Sequence, residues 1–199
     1  PKPSSAASDV YKRQVLMQAA DYGREAFGQV VVARDFGDAL EARLGELQQL
    51  TRYRPAKFVG LGACSDGRRE VLIAEDAGEQ RLQARLVVGA DGTRSAVRQA
   101  LGIEVSEHDY QQTLFVARLR AAKAPDGCAY ERFTDTGPTA LLPRGDRHYG
   151  VVHGVAREEA DAVMALDDAA WLARLQDAVG WRAGRLLESG PRSAYPLIQ

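Results

Sequence analysis

The chain has 199 residues, 45% hydrophobic and 27% charged, enough to bury a core in one large domain or in parts of two. Twenty-six basic residues stand against 27 acidic ones, a formal net charge of −1, and the arginines are scattered rather than gathered into a stripe, which argues against nucleic acid as a partner. No run reaches the ~18 apolar residues of a membrane-spanning helix, and no apolar segment follows Lys12-Arg13 as a signal peptide would require.

Taken in chain order, residues 1–14 show no apolar periodicity and read as a non-native leader, outside the fold. Ala20-Asp21-Tyr22-Gly23 and Phe27 to Val32 follow. Gly37 to Leu50 reads as an amphipathic helix, with Leu40, Leu44 and Leu47 at helical spacing and Glu41, Arg43 and Glu46 between them. Two β-rich runs, Lys57 to Ala63 and Glu70 to Ala74, are joined by Ser65-Asp66-Gly67-Arg68, a hairpin signal. Gly60-Leu61-Gly62 inside the first run lacks the third glycine and the following helix of a dinucleotide motif, and is set aside.

Leu82 to Ala90 leads into Asp91-Gly92-Thr93-Arg94-Ser95-Ala96-Val97-Arg98. Apolar Leu86 to Val88 suit a strand covered on both faces, Gly92 a turn, and Ser95 to Leu101 a short helix ended by Gly102. A helix opening here would aim free backbone N–H groups at a ligand above the strand end, the geometry of a phosphate site. A capping Asp and a surface Arg in an ordinary turn are the plainer alternative.

Beyond His108 the pattern becomes β-rich: Thr113 to Leu119, Gly127 to Thr134, Thr139 to Pro143 and His148 to Val155, with Gly145-Asp146 as a hairpin loop. Arg157 to Leu166 and Asp168 to Val179 are helical. Asp167 or Asp168 is the N-cap of the second, and Trp171, Leu172, Leu175 and Val179 form its apolar face. Arg185 to Leu187 and Ser193 to Leu197 return to β-like sequence. Cys64 and Cys128 fit no metal spacing and no disulfide is indicated, which suits a reducing compartment. His108, His148 and His153 are isolated; the last two, five apart in one strand, face opposite ways, and no metal site is expected.

The pattern Asp-Gly-x-x-Ser-x-x-Arg after an apolar run resembles the fingerprint of single-component FAD-dependent aromatic hydroxylases. Further segments are similar, in the same order, to the ubiquinone-biosynthesis branch of the 2-polyprenyl-6-methoxyphenol hydroxylase type: residues 20–31, Tyr130 to Asp135, Gly137 to Pro143, Gly180-Trp181-Arg182 with Gly184-Arg185, and Arg192 to Leu197. The resemblance implies a mixed α/β fold in which an FAD-binding, Rossmann-like portion is interleaved with an antiparallel-sheet substrate domain, incomplete at both ends. Residues 34–105 would belong to the FAD-binding part, and 15–33 with 106–199 to the substrate part. Asp91, Gly92, Ser95 and Arg98 would serve the cofactor, with Arg34 approaching it. Gly137, Pro138, Leu141 and Pro143 would line the ring pocket.

The activity so implied is reduction of FAD by NADH or NADPH, reaction of the reduced flavin with oxygen, and hydroxylation of an electron-rich phenol. The cofactor carries that chemistry while the protein orients the substrate and excludes water, so no catalytic residue is assigned. A polyprenyl tail makes the substrate a membrane lipid, implying a cytoplasmic enzyme in peripheral contact with the inner membrane, and leaves an oligomer or biosynthetic complex open. As an internal piece of such an enzyme, the chain alone would hold little FAD. Other readings are a flavin hydroxylase acting on another aromatic, an oxidase or reductase on the same scaffold, and a non-catalytic nucleotide- or lipid-binding module.

Overall fold

Asp66 and Gly67 both take left-handed backbone angles (φ 52° and 69°), the pair that a tight two-residue hairpin turn requires. In the computed structural model, which describes residues 14–144 and 147–199, they join β1 (Lys57–Ser65) to β2 (Arg68–Glu75). A second turn leads to β3 (Gly78–Ala84), and the three form an antiparallel sheet in the order β1-β2-β3. Only Ile73 of this sheet is buried among the described residues.

The larger sheet has six strands: β4 (Asp109–Ala121), β5 (Tyr130–Thr134), β6 (Gly137–Pro143), β7 (His148–Ala156), β8 (Leu186–Ser189) and β9 (Ser193–Ile198). Its order is β5-β6-β7-β4-β8, with β9 also pairing along β4, and every ladder is antiparallel. Strand alternation sorts its faces. Phe115, Ala117, Leu119 and Ala121 of β4 meet Leu141 of β6 and Tyr149, Val151 and Val155 of β7 in one core. The intervening residues point the other way.

The core face is closed by helix. Residues Arg157–Glu159 make one 3-10 turn, followed by a short helix, Ala160–Met164, and a longer one, Asp168–Val179. The Asp167 carboxylate caps the longer helix by accepting the Ala170 N–H at 2.8 Å. That helix drives Trp171 and Leu175 into the core, both fully buried. The Trp171 ring lies 5.9 Å from Phe115 and 5.7 Å from His153, and its N–H donates to Ser189 Oγ at 3.1 Å.

Mixed α/β architecture, the 66–67 hairpin and the strands and helices after residue 108 match the expectations. Several details differ. The first long helix, α1, runs Ala33–Glu46 and starts four residues ahead of Gly37, because no side chain caps it and Asp35 suits its positive first turn. The chain over 86–90 takes no regular secondary structure and pairs with no strand among the described residues, and Leu86 and Val88 are 79% and 72% exposed. An apolar run becomes a strand only where a neighbour takes its N–H and C=O groups, so the expected buried strand is absent here. Gly145 and Asp146, the expected hairpin loop, lie outside the described residues, as do residues 1–13 of the leader; Arg144 and His148 on either side of the loop are bonded N–H to C=O at 2.9 Å. Among the described residues no helix is long and apolar enough to cross a membrane.

Candidate functional site

The fingerprint folds into a turn whose side chains are consumed by its own backbone. Ser95 caps α2 (Ala96–Ala100) by accepting the Arg98 N–H at 3.0 Å. The Asp91 carboxylate accepts from the Ser95 hydroxyl, from Ala96 N–H at 2.7 Å and from Val97 N–H at 3.2 Å. The Arg98 guanidinium donates to Thr93 C=O at 2.8 Å, closing the loop from the other side. These bonds hold the Asp91 carboxyl below its ordinary value, the Ser95 hydroxyl foremost.

The expected row of free N–H groups is therefore taken: the first three helical amides already have partners in Asp91 and Ser95. Gly92, at φ 84°, is the open point of the turn, since a Cβ built there would meet no heavy atom within 4 Å. At the other end of α2, Gly102 at φ 64° donates to Gln99 C=O (3.0 Å), and Ile103 donates to Arg98 C=O (3.2 Å), the paired bonds of a glycine-terminated helix.

Between this turn and β1–β2 lies a cleft of about 530 Å³. Leu61, Leu86 and Val87 give it an apolar wall, and Arg69, Arg85 and Arg98 bring three guanidiniums. Gly92 and Ser95 line it as well, so three of the four fingerprint positions meet there, with Asp91 bracing them. Arg34 does not line the cleft. It stands in the first turn of α1 with its side chain 83% exposed, 3.5 Å from Asp35.

The four ring-pocket candidates separate. Pro138 lies on the open face of the large sheet, directly opposite Phe133 of β5. Leu141 is 1% exposed and belongs to the core beneath the long helix, on the face away from Pro138. Pro143 pairs with buried Tyr149 and shares that core side. Gly137, at φ 143°, is buried where β6 crosses Gly154: a Cβ on Gly137 would lie 2.9 Å from the Gly154 carbonyl carbon.

Two features escaped the sequence reading. A Cβ on Gly89 would sit 3.2 Å from a Val97 methyl, so Gly89 lets α2 pack on the segment before the turn; its signal was its place two residues before Asp91. The other is a polar chain that runs from the core, at Thr139 and His153, to the partly exposed Arg174 and Glu159. His153 bonds Thr139 Oγ1 at 2.8 Å through Nδ1 and accepts from Arg174 Nε at 3.1 Å through Nε2. Arg174 in turn donates to Glu159 at 2.7 Å. Because Nε2 accepts, the imidazole proton resides on Nδ1. Burial, helped by the Arg174 charge, pushes the His153 pKa down to about 4. Only the odd spacing from His148 hinted that His153 faces inward.

The family described as FAD binding domain matches residues 12–197. Ubiquinone hydroxylase UbiL of Rhodospirillum rubrum is 34% identical over 170 residues, which cover 85% of this chain and 39% of that protein. The mitochondrial ubiquinone biosynthesis monooxygenase COQ6 of Xenopus tropicalis is 38% identical over 95 residues, 47% of this chain and 20% of its own length. The chain thus spans about two fifths of UbiL and less of COQ6. Among solved structures, p-nitrophenol 4-monooxygenase PnpA from Pseudomonas putida DLL-E4 superposes with a TM-score of 0.62 at 15% identity, over 85% of this chain and 43% of that one, a likeness of fold.

Proposed function

Since this chain belongs to the FAD binding domain family, we propose that it works within an FAD-dependent monooxygenase that hydroxylates a polyprenylated phenol of ubiquinone biosynthesis, with NADH or NADPH as reductant. The observation that carries the reading is the 34% identity to a ubiquinone hydroxylase over 85% of the chain, a span long enough that it must include the fingerprint turn and strands β4 to β7.

The cleft residues fit the cofactor. A Gly92 turn with open space above it, beside three guanidiniums and an apolar wall, suits a ligand that is anionic at its pyrophosphate and flat and apolar elsewhere. In this reading Gly92 and Ser95 face FAD, Arg98 supplies positive charge, and Asp91 holds the turn's shape. Arg34, exposed at the start of α1, is the further contact. FAD, when bound, supplies electron transfer from the nicotinamide and activation of oxygen. This chain's own part is to bind, orient and keep water out. The ionised Asp91, with both oxygens engaged, keeps the turn rigid without taking part in proton transfer.

We assign residues 34–105 to the FAD-binding part and 15–33 with 106–199 to the substrate part. The division is supported by the sheets, since β1–β3 fall wholly within the first and β4–β9 within the second. Pro138 is the ring-side candidate retained from 137–143. Leu141 and Pro143 serve it from behind by packing the sheet on the long helix, and Gly137 by letting β6 cross β7 closely. The lipid tail of such a substrate entails peripheral membrane contact by the whole enzyme. The test is to purify the complete enzyme and follow NADH and NADPH oxidation with and without a prenylated phenol. Phenol-stimulated oxidation with bound FAD is expected, and a flavin-free enzyme indifferent to phenols would refute the reading.

A further inference from the structure

The antiparallel strands of the larger sheet bring three connections together at one end. Residues 122–129 leave β4, 144–147 join β6 to β7, and 180–185 link the long helix to β8. Backbone bonds fasten them side by side: Ala121 donates its N–H to Arg147 C=O at 3.1 Å, Ala122 to Arg185 C=O at 2.8 Å and Lys123 to Ala183 C=O at 3.2 Å. Along these segments the sequence carries Lys123, Arg144, Arg147, Arg182 and Arg185 against Asp126 and Asp146. The other end, where β5 turns into β6 and β7 runs out, is acidic, with Asp109, Asp135, Glu158 and Glu159 against Arg157. In a chain of formal net charge −1, the two signs are thus sorted to opposite ends of one sheet.

A large aromatic side chain stands on the basic end. Trp181 is 68% exposed, although the turn that carries it is firmly braced. The Gln176 amide donates to Gly180 C=O at 2.6 Å and to Gly184 C=O at 3.3 Å, while its oxygen accepts the Leu186 N–H at 2.8 Å. Ala183, within the turn, is buried. The indole is therefore held out toward solvent, between the braced turn and the exposed Arg182 and Arg185. Arg182 donates to the Gln14 amide oxygen, a neutral partner that leaves its charge in place. The Lys123 stem lies beside Gly184, its Cγ 3.1 Å from where a Cβ would stand.

We propose that this end of the sheet is the membrane-contact surface of the enzyme, with Lys123, Arg182 and Arg185 against anionic lipid headgroups and the Trp181 indole in the interface. The proposal rests on the prenylated-phenol reading and names the surface by which the enzyme meets a substrate dissolved in a bilayer. An indole joins an apolar body to a polar N–H, which suits the headgroup level better than either water or hydrocarbon. Each lysine or arginine brought to an anionic surface strengthens attachment about fivefold. The acidic opposite end is repelled by the same surface, so charge also sets which way the sheet points.

The test is flotation of the complete, flavin-loaded enzyme with vesicles of equal parts phosphatidylglycerol and phosphatidylcholine, or of phosphatidylcholine alone. Binding to the mixed vesicles, at least about tenfold weaker binding to the neutral ones, and release by salt are expected. Lys123→Gln/Arg185→Gln should weaken binding about twenty-fivefold, two charges at about fivefold each, and Trp181→Ser about tenfold. All three side chains are exposed, so the variants keep the fold. Arg43→Gln/Arg81→Gln removes the same charge from exposed positions away from this end and should bind like the parent enzyme. Binding unchanged in the Lys123/Arg185 and Trp181 variants, an equal loss in the Arg43/Arg81 pair, indifference to lipid charge, or no binding would overturn the proposal. So would an enzyme that floats with native membranes but not with protein-free vesicles, which marks the surface as a protein interface. None of these failures touches the hydroxylase reading, which stands or falls on flavin content and phenol-stimulated oxidation in the complete enzyme.

Discussion

Asp91 and Ser95 form a reciprocal brace: the Ser95 hydroxyl donates to the Asp91 carboxylate while its oxygen accepts the Arg98 N–H at 3.0 Å. One hydroxyl therefore ties the start of the turn to the first turn of α2. Ser95 is 7% exposed, so removing its oxygen leaves the Arg98 amide without a partner in a confined place. Ser95→Ala should cost about 1 kcal/mol in urea unfolding, and Ser95→Thr less than half of that. Equal stability of the Ala variant would show that the cap contributes nothing.

Asp91 gives the brace a pH dependence. Its pKa in the folded chain is below the ordinary carboxylate value, so its contribution is complete above that value and is lost as pH falls through the folded one. Melting temperatures of the protein and of Asp91→Asn should differ at neutral pH and converge in acid below the normal aspartate range. A difference independent of pH would mean that the charge is irrelevant.

His153 works in the opposite chemical sense with the same outcome. Its folded pKa of about 4 lies below the unfolded one, so between about 6.5 and 4 the unfolded chain binds more protons. Stability should fall across that window as pH drops and should be insensitive to His153 above it. His153→Gln, which keeps polar atoms near Thr139 and Arg174, is expected to be less stable at neutral pH but flatter from pH 7 to 5. A variant with the slope of the parent protein would contradict the assignment.

The two glycines of β7 separate packing from open space. A Cβ on Gly154 would lie 2.8 Å from Pro138 Cδ and 3.2 Å from its nitrogen, whereas one on Gly150 would meet only side-chain carbons at 3.8 and 3.9 Å. Gly154→Ala should therefore lose about 1–3 kcal/mol, and Gly150→Ala should unfold close to the parent protein. Urea midpoints of the two variants measure this directly.

Trp171 anchors the long helix with no exposed surface, while Trp181 is 68% exposed. Trp171→Ala should cost about 3–5 kcal/mol. Trp171→Phe, which loses the bond to Ser189, should leave a fluorescence that iodide quenches fully, because only Trp181 then emits.

Much of this was legible from residue chemistry. Asp66-Gly67, Gly102 and Asp167 specify turns and caps through their own backbone and side-chain preferences, and each does what its type suggests. What failed to read through depends on partners elsewhere. Leu86 to Val88 carry the composition of a buried strand, but strand formation needs a second segment, and none of the described residues supplies it. In Gly137 to Pro143 apolar residues fall on both faces, so period-two alternation could not say that Thr139 and Leu141 face the core and Pro138 the open side. The start of α1 was misplaced because Val32 offers no capping side chain.

The most direct test follows oxygen. The complete gene is placed in a strain lacking its ubiquinone hydroxylase and grown under ¹⁸O₂, and the quinone precursors are weighed by mass spectrometry. The account predicts a prenylated phenol that gains one labelled oxygen atom when the gene is present and accumulates unhydroxylated without it. Precursors that stay unhydroxylated in both strains, or oxygen that carries no label, would contradict it.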